Sequence, residues 1–350
     1  MARRIGVYSM PLSAVKERLC QERMGTWDEY GSLSDLRMEV RDSLAPLGSR
    51  FKILVRRRSK TIETFPTGHC MQQICGLLRM PGAFLDRLPA AVGLKLLRTL
   101  QETSELSDGR ALLMRFQGRD HPTFRAILPS SYVRMDDLDI LDIIQQAAGA
   151  SMSSLQTEIS DDSLTLRLAM DDKDMLLNVG SLSKKDPAAA GISIMTSETG
   201  AHPLEIRHLL LRLICINGVT VPIDGQKMLS RRFVQTDRAT IAQAILGTIE
   251  AVSTRAGVLA ARLSETHAQM VPDPAAEIRA VFHRDRLGNP SGRLGRWVTS
   301  EVDRQMSLFG ARRFEVVQAF TAVARGLEAG DRLRLEDAMG RYVMEGAEKN

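Results

Sequence analysis

The sequence predicts an α+β protein, a mostly antiparallel sheet core with flanking helices and a helical C-terminal part. Between residues 110 and 223, the runs ALLMRFQG, TFRAILPSS, SLTLRLAM, DMLLNVG and GISIMTS alternate or are β-branched, and Asp, Gly and Ser clusters separate them at hairpin spacing. From about Asp237 to Ser264, Ile241, Ile245, Ile249, Val252, Leu259 and Leu263 fall on one side of a long amphipathic helix. No segment repeats at the period of roughly 20 to 50 residues that marks solenoids and propellers.

The elements follow in order. Residues 1–50 mix short helical runs with turn residues and carry no strong period, as a partly ordered arm would. FKILVRRRSK at 51–60 alternates and is β-branched at its centre, a strand leaving the core through a basic end. In 67–103, Met71, Ile74, Leu77 and Leu78 recur at helical spacing until Pro81, and Leu94, Leu97 and Leu100 mark a second helix. DDLDILDIIQQAAGA at 136–150 reads as a helix with carboxylates crowding its first turn. Asn217-Gly218 reads as a turn before a short β segment, and 267–276, with Pro272 and Pro274, as a linker. The expected organisation is an arm (1–50), an α+β core (51–265) and a helical C-terminal region (266–350).

The chain has 350 residues, enough to bury a sizeable core without disulfides or metals. Apolar residues are 44% and charged residues 25%, which suggests neither a disordered nor a membrane class, and no window approaches the ~20 apolar residues of a span. A net charge of +5 and a pI near 9.2 permit a polyanionic partner without requiring one. Cys20, Cys70, Cys75 and Cys215 form neither a disulfide framework nor a zinc spacing, which fits a reducing cytoplasm.

Enzyme motifs fail. Neither G-x-x-x-x-G-K-[ST] nor G-x-G-x-x-G after a strand is present, so the backbone cradle of a nucleotide hydrolase is missing. His283-Arg284-Asp285 resembles a kinase catalytic loop, but Asn289 follows one position early. Asp136, Asp137, Asp139 and Asp142 suit a helix N-terminus, and Asp161, Asp162, Asp171, Asp172 and Asp174 suit turns, before either group suits a metal. His69, Cys70 and Cys75 lack a third group to orient a thiolate–imidazole pair. The sequence therefore indicates no catalytic residue, metal or cofactor.

The basic positions are more suggestive. Arg56, Arg57, Arg58 and Lys60 end a strand near Phe51 and Phe65; Arg125 and Arg134 flank a strand and turn with Phe124 and Tyr132; Arg231 and Arg232 precede the long helix with Phe233. Nucleic-acid grooves combine a cationic track for phosphates with aromatic faces for bases. Aromatics are only 5% of the chain, thin for a stacking platform.

Three blocks occur in order: TGHCMQQICGLLRMPGAFLDRLPAAVGLKLLRTL; FRAILPSSYVRMDDLDILDII; and GISIMTSETGAHPLEIRHLLLRLICINGVTVP, with Ser197, Glu198 and Gly200 in a Ser-Glu-x-Gly turn and Leu213, Cys215, Asn217 and Gly218 after it. Together they resemble the phage- and plasmid-borne protein family known as domain of unknown function 932. The resemblance implies a protein of mobile elements and brings no established activity. Physically, Ser197 to Gly200 reads as a tight turn that sets the Glu198 carboxylate near a strand end.

Two readings follow. One is a non-catalytic DNA-metabolism module, of the single-strand binding or annealing kind, that oligomerises through the 237–264 helix and uses the arginine clusters as its phosphate track. The alternative is a protein-interaction or assembly factor whose arginines are a solvated surface. A metal-dependent activity at Glu198 is a weaker third.

Overall fold

The structure, a computed structural model, describes residues 6–8, 11–57, 60–103, 111–148, 152–170, 176–180, 186–212, 217–221, 229–231 and 237–345. The N-terminal half runs β1 (Gly6–Tyr8), α1 (Leu12–Gly25), β2 (Thr26–Gly31), β3 (Leu36–Val40), α2 (Leu47–Arg50), β4 (Phe51–Arg56), β5 (Thr61–Pro66), α3 (Gly68–Leu77), α4 (Gly82–Arg87), α5 (Ala90–Thr103), β6 (Leu112–Gln117) and β7 (Thr123–Pro129). The remainder runs α6 (Asp137–Ala148), β8 (Met152–Ile159), β9 (Leu164–Met170), β10 (Leu176–Asn178), β11 (Pro187–Thr196), β12 (Leu204–Arg212), β13 (Asn217–Val221), β14 (Leu229–Arg231), α7 (Arg238–Glu250), α8 (Val252–Glu265), α9 (Pro274–Arg284), α10 (Arg293–Phe309), α11 (Arg313–Ala324) and α12 (Ala329–Glu345).

The fold is α+β with a helical C-terminal part, as the patterning predicts. A six-stranded sheet has the order β2-β6-β7-β5-β4-β3, antiparallel except where β5 runs parallel to β7. A second sheet has the order β1-β8-β9-β11-β12-β13, with β10 also on β11 and β14 on β12. Helix starts follow local chemistry: the Thr67 hydroxyl accepts from Cys70 N at the head of α3, Asp237 from Thr240 N at α7, and Asp273 from Ala276 N at α9, where Pro274 opens the first turn.

Three apolar clusters hold these layers. Phe51, Ile53, Phe116, Phe124 and Met114 on one face of the six-stranded sheet pack with Met71, Ile74, Leu85 and Leu97 of α3, α4 and α5. The opposite face contributes Leu113, Ala126 and Leu128 to a core shared with Leu166, Leu168, Ile192, Ile194 and Ile206 of the second sheet and Ile140, Ile144, Ile241 and Ile245 of α6 and α7. The C-terminal helices bury Phe282, Val298, Phe320 and Met339 together with Ala188 and Leu210 of the second sheet and Leu259 of α8.

The structure departs from the patterning in four places. Residues 11–50 are not a loose arm: β2 and β3 form the two edges of the six-stranded sheet. TWDEYG is mostly polar because this edge strand is half-solvated, which hides its period, whereas LRMEV alternates, with Leu36 and Met38 buried, over only five residues. The 237–264 segment is two helices broken at Ala251, and Ile241, Ile245, Leu259 and Leu263 are buried within the chain. Asn217 and Gly218 are not a turn but lie in β13, opposite Arg212 and Leu211 of β12. Residues 267–276 are not a linker, since Val271 is buried and its amide donates to Ala311 O at 2.9 Å.

Gly191 in β11 marks a close backbone approach, because a Cβ there would stand 2.0 Å from Leu168 O of β9. Gly257 in α8 has nothing within 4 Å of the same position. In urea denaturation, Gly191→Ala should lower the unfolding free energy by about 1–3 kcal/mol through overpacking. Gly257→Ala should raise it by roughly 0.5–1 kcal/mol, because Ala is the better helix residue.

Candidate nucleic-acid interface

The Ser197–Gly200 turn joins β11 to β12 and reaches from the second sheet into the first. Gly200 has φ +75° and its amide donates to Ser197 O at 3.4 Å, a tight turn; a Cβ at Gly200 would meet Leu128 Cδ2 at 2.7 Å. The Ser197 hydroxyl donates to Asp162 O and accepts from Ala201 N at 3.0 Å. On the other side, Gln73 of α3 donates to Thr199 O at 2.9 Å and accepts from Ile127 N of β7 at 2.9 Å, while His69 Nε2 lies 3.2 Å from Thr199 O.

Glu198 ends in a buried ionic cluster. Its carboxylate bonds Arg125 and stands 3.8 Å from Arg115 Nη1, which also donates to Glu198 O at 2.9 Å. Arg115 in turn donates to Asp28 of β2 at 3.0 Å and to Asp136 before α6. The register between β6 and β7 shifts here, with Arg115 opposite Ala126 and Phe116 opposite Phe124, so Arg125 is the extra residue of a bulge. Bulges re-aim side chains, and this one lets guanidiniums from two adjacent strands converge on one carboxylate. Burial would lower the Arg115 pKa, but Glu198, Asp136 and Asp28 outweigh it and hold the group above its ordinary value.

Two expected contact residues therefore lie inside. Arg125 is 2% exposed and Tyr132 8%, its hydroxyl donating to Ser197 O at 3.1 Å, so neither presents a surface to a phosphate or base. Burial raises the Tyr132 pKa, keeping the phenol neutral. Glu198 is occupied by guanidiniums, and among the described residues no three His, Cys, Asp or Glu side chains are placed to hold a metal. Burial pushes the Cys75 thiol up to about 11 and Cys70 well above its usual value, away from the reactive thiolate. Asp285, which imitated a kinase aspartate, is held between Arg284 and Arg341.

Arg56, Arg57 and Lys60 line an open cleft. It measures about 810 Å³ between the β2 edge and the β4–β5 hairpin, with Val55 and Met114 among its lining residues, Asp28 and Tyr30 from β2, and Arg56, Arg57 and Lys60 from the hairpin. Tyr30 is 67% exposed. Arg56 reaches Asp35 at 3.3 Å, and Arg57 pairs with Glu29 while lying over the Trp27 ring, 4.5 Å from its centroid. Trp27 stacks on Phe116, and Phe116 on Phe124, so this wall is anchored in the core. Phe51, expected beside the basic end, is fully buried. Arg134 is half-exposed and paired with Asp28 at 3.0 Å. Arg58 and Arg232 lie outside the described residues, and Arg231 is in β14 on the far sheet, paired with Leu204.

Sequence reasoning missed Trp27, Tyr30, Asp28 and Arg115. The first three sit in the segment read as an arm; Arg115 carried a signal, a lone charge in the apolar strand LLMRFQ.

His69 supplies a test of the turn's docking. Burial lowers its pKa, against the opposing effects of Thr199 O and Asp162. The folded ring thus binds fewer protons than the unfolded one, so stability present above the ordinary histidine pKa is lost as pH falls through it. Denaturation between pH 7.5 and 5.5 should show stability falling with pH, and His69→Gln should flatten that slope.

Comparison of the chain with protein-family models, curated proteins and solved structures finds no match.

Proposed function

We propose that the protein is a non-catalytic nucleic-acid-binding module that takes a single strand along the β2–hairpin cleft. The observation that carries this reading is an open cleft whose lining brings Tyr30, 67% exposed, together with Arg56, Arg57 and Lys60. A base stacks on the first and phosphates follow the second. Glu29 and Asp35 neutralise part of the wall, which fits transient, salt-sensitive binding. The resemblance of the Gly191–Gly218 segment would set such a module in the DNA metabolism of a mobile element, in the cytoplasm. Among the described residues no helix is long and apolar enough to cross a membrane.

A second reading, assembly with another protein, is favoured by Leu308 and Phe309 at the end of α10, which are 60% and 61% exposed, and by Met270, 66% exposed, whose bridge to Arg312 sets it nearby. Light scattering separates a self-assembling chain from a monomer, and Leu308→Asp with Phe309→Asp would dissolve such an assembly.

Fluorescence anisotropy with labelled oligothymidine tests the cleft. Tyr30→Ala should weaken binding by about 1–3 kcal/mol, the worth of one stacked base. Arg56→Ala with Lys60→Ala should reduce the slope of log K against log salt by about 1.4, two single-strand phosphate contacts. Binding by both variants equal to that of the parent would remove the cleft as the site.

A further inference from the structure

Behind the cleft, carboxylates and guanidiniums form a continuous row with the two signs segregated by depth. Asp28 lines the cleft and takes Arg134 Nε at 3.0 Å. Asp136 stands 3.8 Å from Arg134 and 3.5 Å from Arg23 of α1. Asp139 takes Arg23 at 3.0 Å and Arg238, the first residue of α7, at 2.8 Å. Each guanidinium shares one carboxylate with the next, so Arg134, Arg23 and Arg238 stand side by side.

The acid side chains in this row are 8%, 4% and 12% exposed, whereas the three arginines are 48%, 43% and 57% exposed. Anionic ends point inward and cationic ends outward. Surface ion pairs that serve only stability gain little, and nothing in them requires this ordering. A guanidinium has five N–H donors, and those turned from the carboxylate remain for a second anion. The inner carboxylates fix the forks in place, so an incoming phosphate meets donors already oriented.

We propose that the single strand bound in the cleft continues across Arg134, Arg23 and Arg238, which grip its phosphates without reading bases. This rests on the cleft reading. The cleft supplies stacking at Tyr30 and the row supplies length, so the chain occupies more nucleotides than the cleft alone covers.

The test titrates oligothymidines of about 4 and about 16 nucleotides at several salt concentrations. For the parent, the long oligonucleotide should bind more tightly and with the steeper salt slope. The Arg134→Ala, Arg23→Ala, Arg238→Ala variant should lose about 2 from the long-oligonucleotide slope, three contacts at ~0.7 each, and leave the short one unchanged. The corresponding triple Lys variant keeps the charges and should restore the slope. An Ala variant with the parent's slope and length dependence overturns the extension while leaving the cleft standing; so does equal loss in the Ala and Lys variants, which would make the row structural. A parent that binds neither oligonucleotide overturns the cleft reading and the extension with it.

Discussion

Among the described residues, four strands each bury an arginine in an apolar run, and the rest of the structure is arranged to answer those charges. Arg115 in LLMRFQ, Arg125 in TFRAILP, Arg167 in LTLRLAM and Arg207 in LEIRHLLLR are 1%, 2%, 4% and 4% exposed. An unpaired buried guanidinium would cost more than the surrounding apolar packing returns, so each must meet a carboxylate. Each meets a carboxylate from far along the chain, and Arg207 also pairs with Glu205 on its own strand. Glu198 lies 73 positions from Arg125, Glu336 169 from Arg167, and Asp337 130 from Arg207. Satisfying the charges therefore dictates which elements dock, much as a hydrophobic stripe does but with directional specificity.

The first pair of arginines joins the sheets to one another. Glu198 arrives on the turn between β11 and β12, Asp28 on an edge strand and Asp136 ahead of α6, so one cluster binds elements from both halves. The second pair fastens α12 to the second sheet, where Arg167 and Arg207 flank Ser193 across three adjacent strands. Burial raises the Glu336 carboxyl pKa despite Arg167 beside it, and the side chain is 1% exposed where α12 meets the sheet. The division has a functional corollary. The arginines buried in β6, β7, β9 and β12 serve the fold, whereas Arg56 of the β4–β5 hairpin and Arg134 are 71% and 48% exposed.

The fold was legible where burial is most complete. β6, β7, β9 and β11 announced themselves because apolar residues alternate or run together between turn formers, and the C-terminal helices because their apolar positions recur at helical spacing. It was not legible at β2, where Asp28 and Glu29 interrupt the pattern, or at β3, whose alternation spans only five residues. Nor was the break at Ala251, since alanine gives no stop signal. Asn217-Gly218 favours a turn locally, yet pairing with β12 claims both residues. The candidate site was half legible: Arg56, Arg57 and Lys60 were found by their run. Arg125 and Tyr132 were misassigned to the surface because a sequence shows a charge without the distant carboxylate that buries it.

A thermodynamic double-mutant cycle on Arg125→Met and Glu198→Leu, followed by urea denaturation, tests most directly whether buried charge pairing organises the fold. Each single replacement should cost about 3–5 kcal/mol, since it strands a buried charge. The double replacement should cost much less than their sum, with a coupling of ~2 kcal/mol or more. Additivity to within about 0.5 kcal/mol would show that the two groups do not depend on each other and would contradict the account.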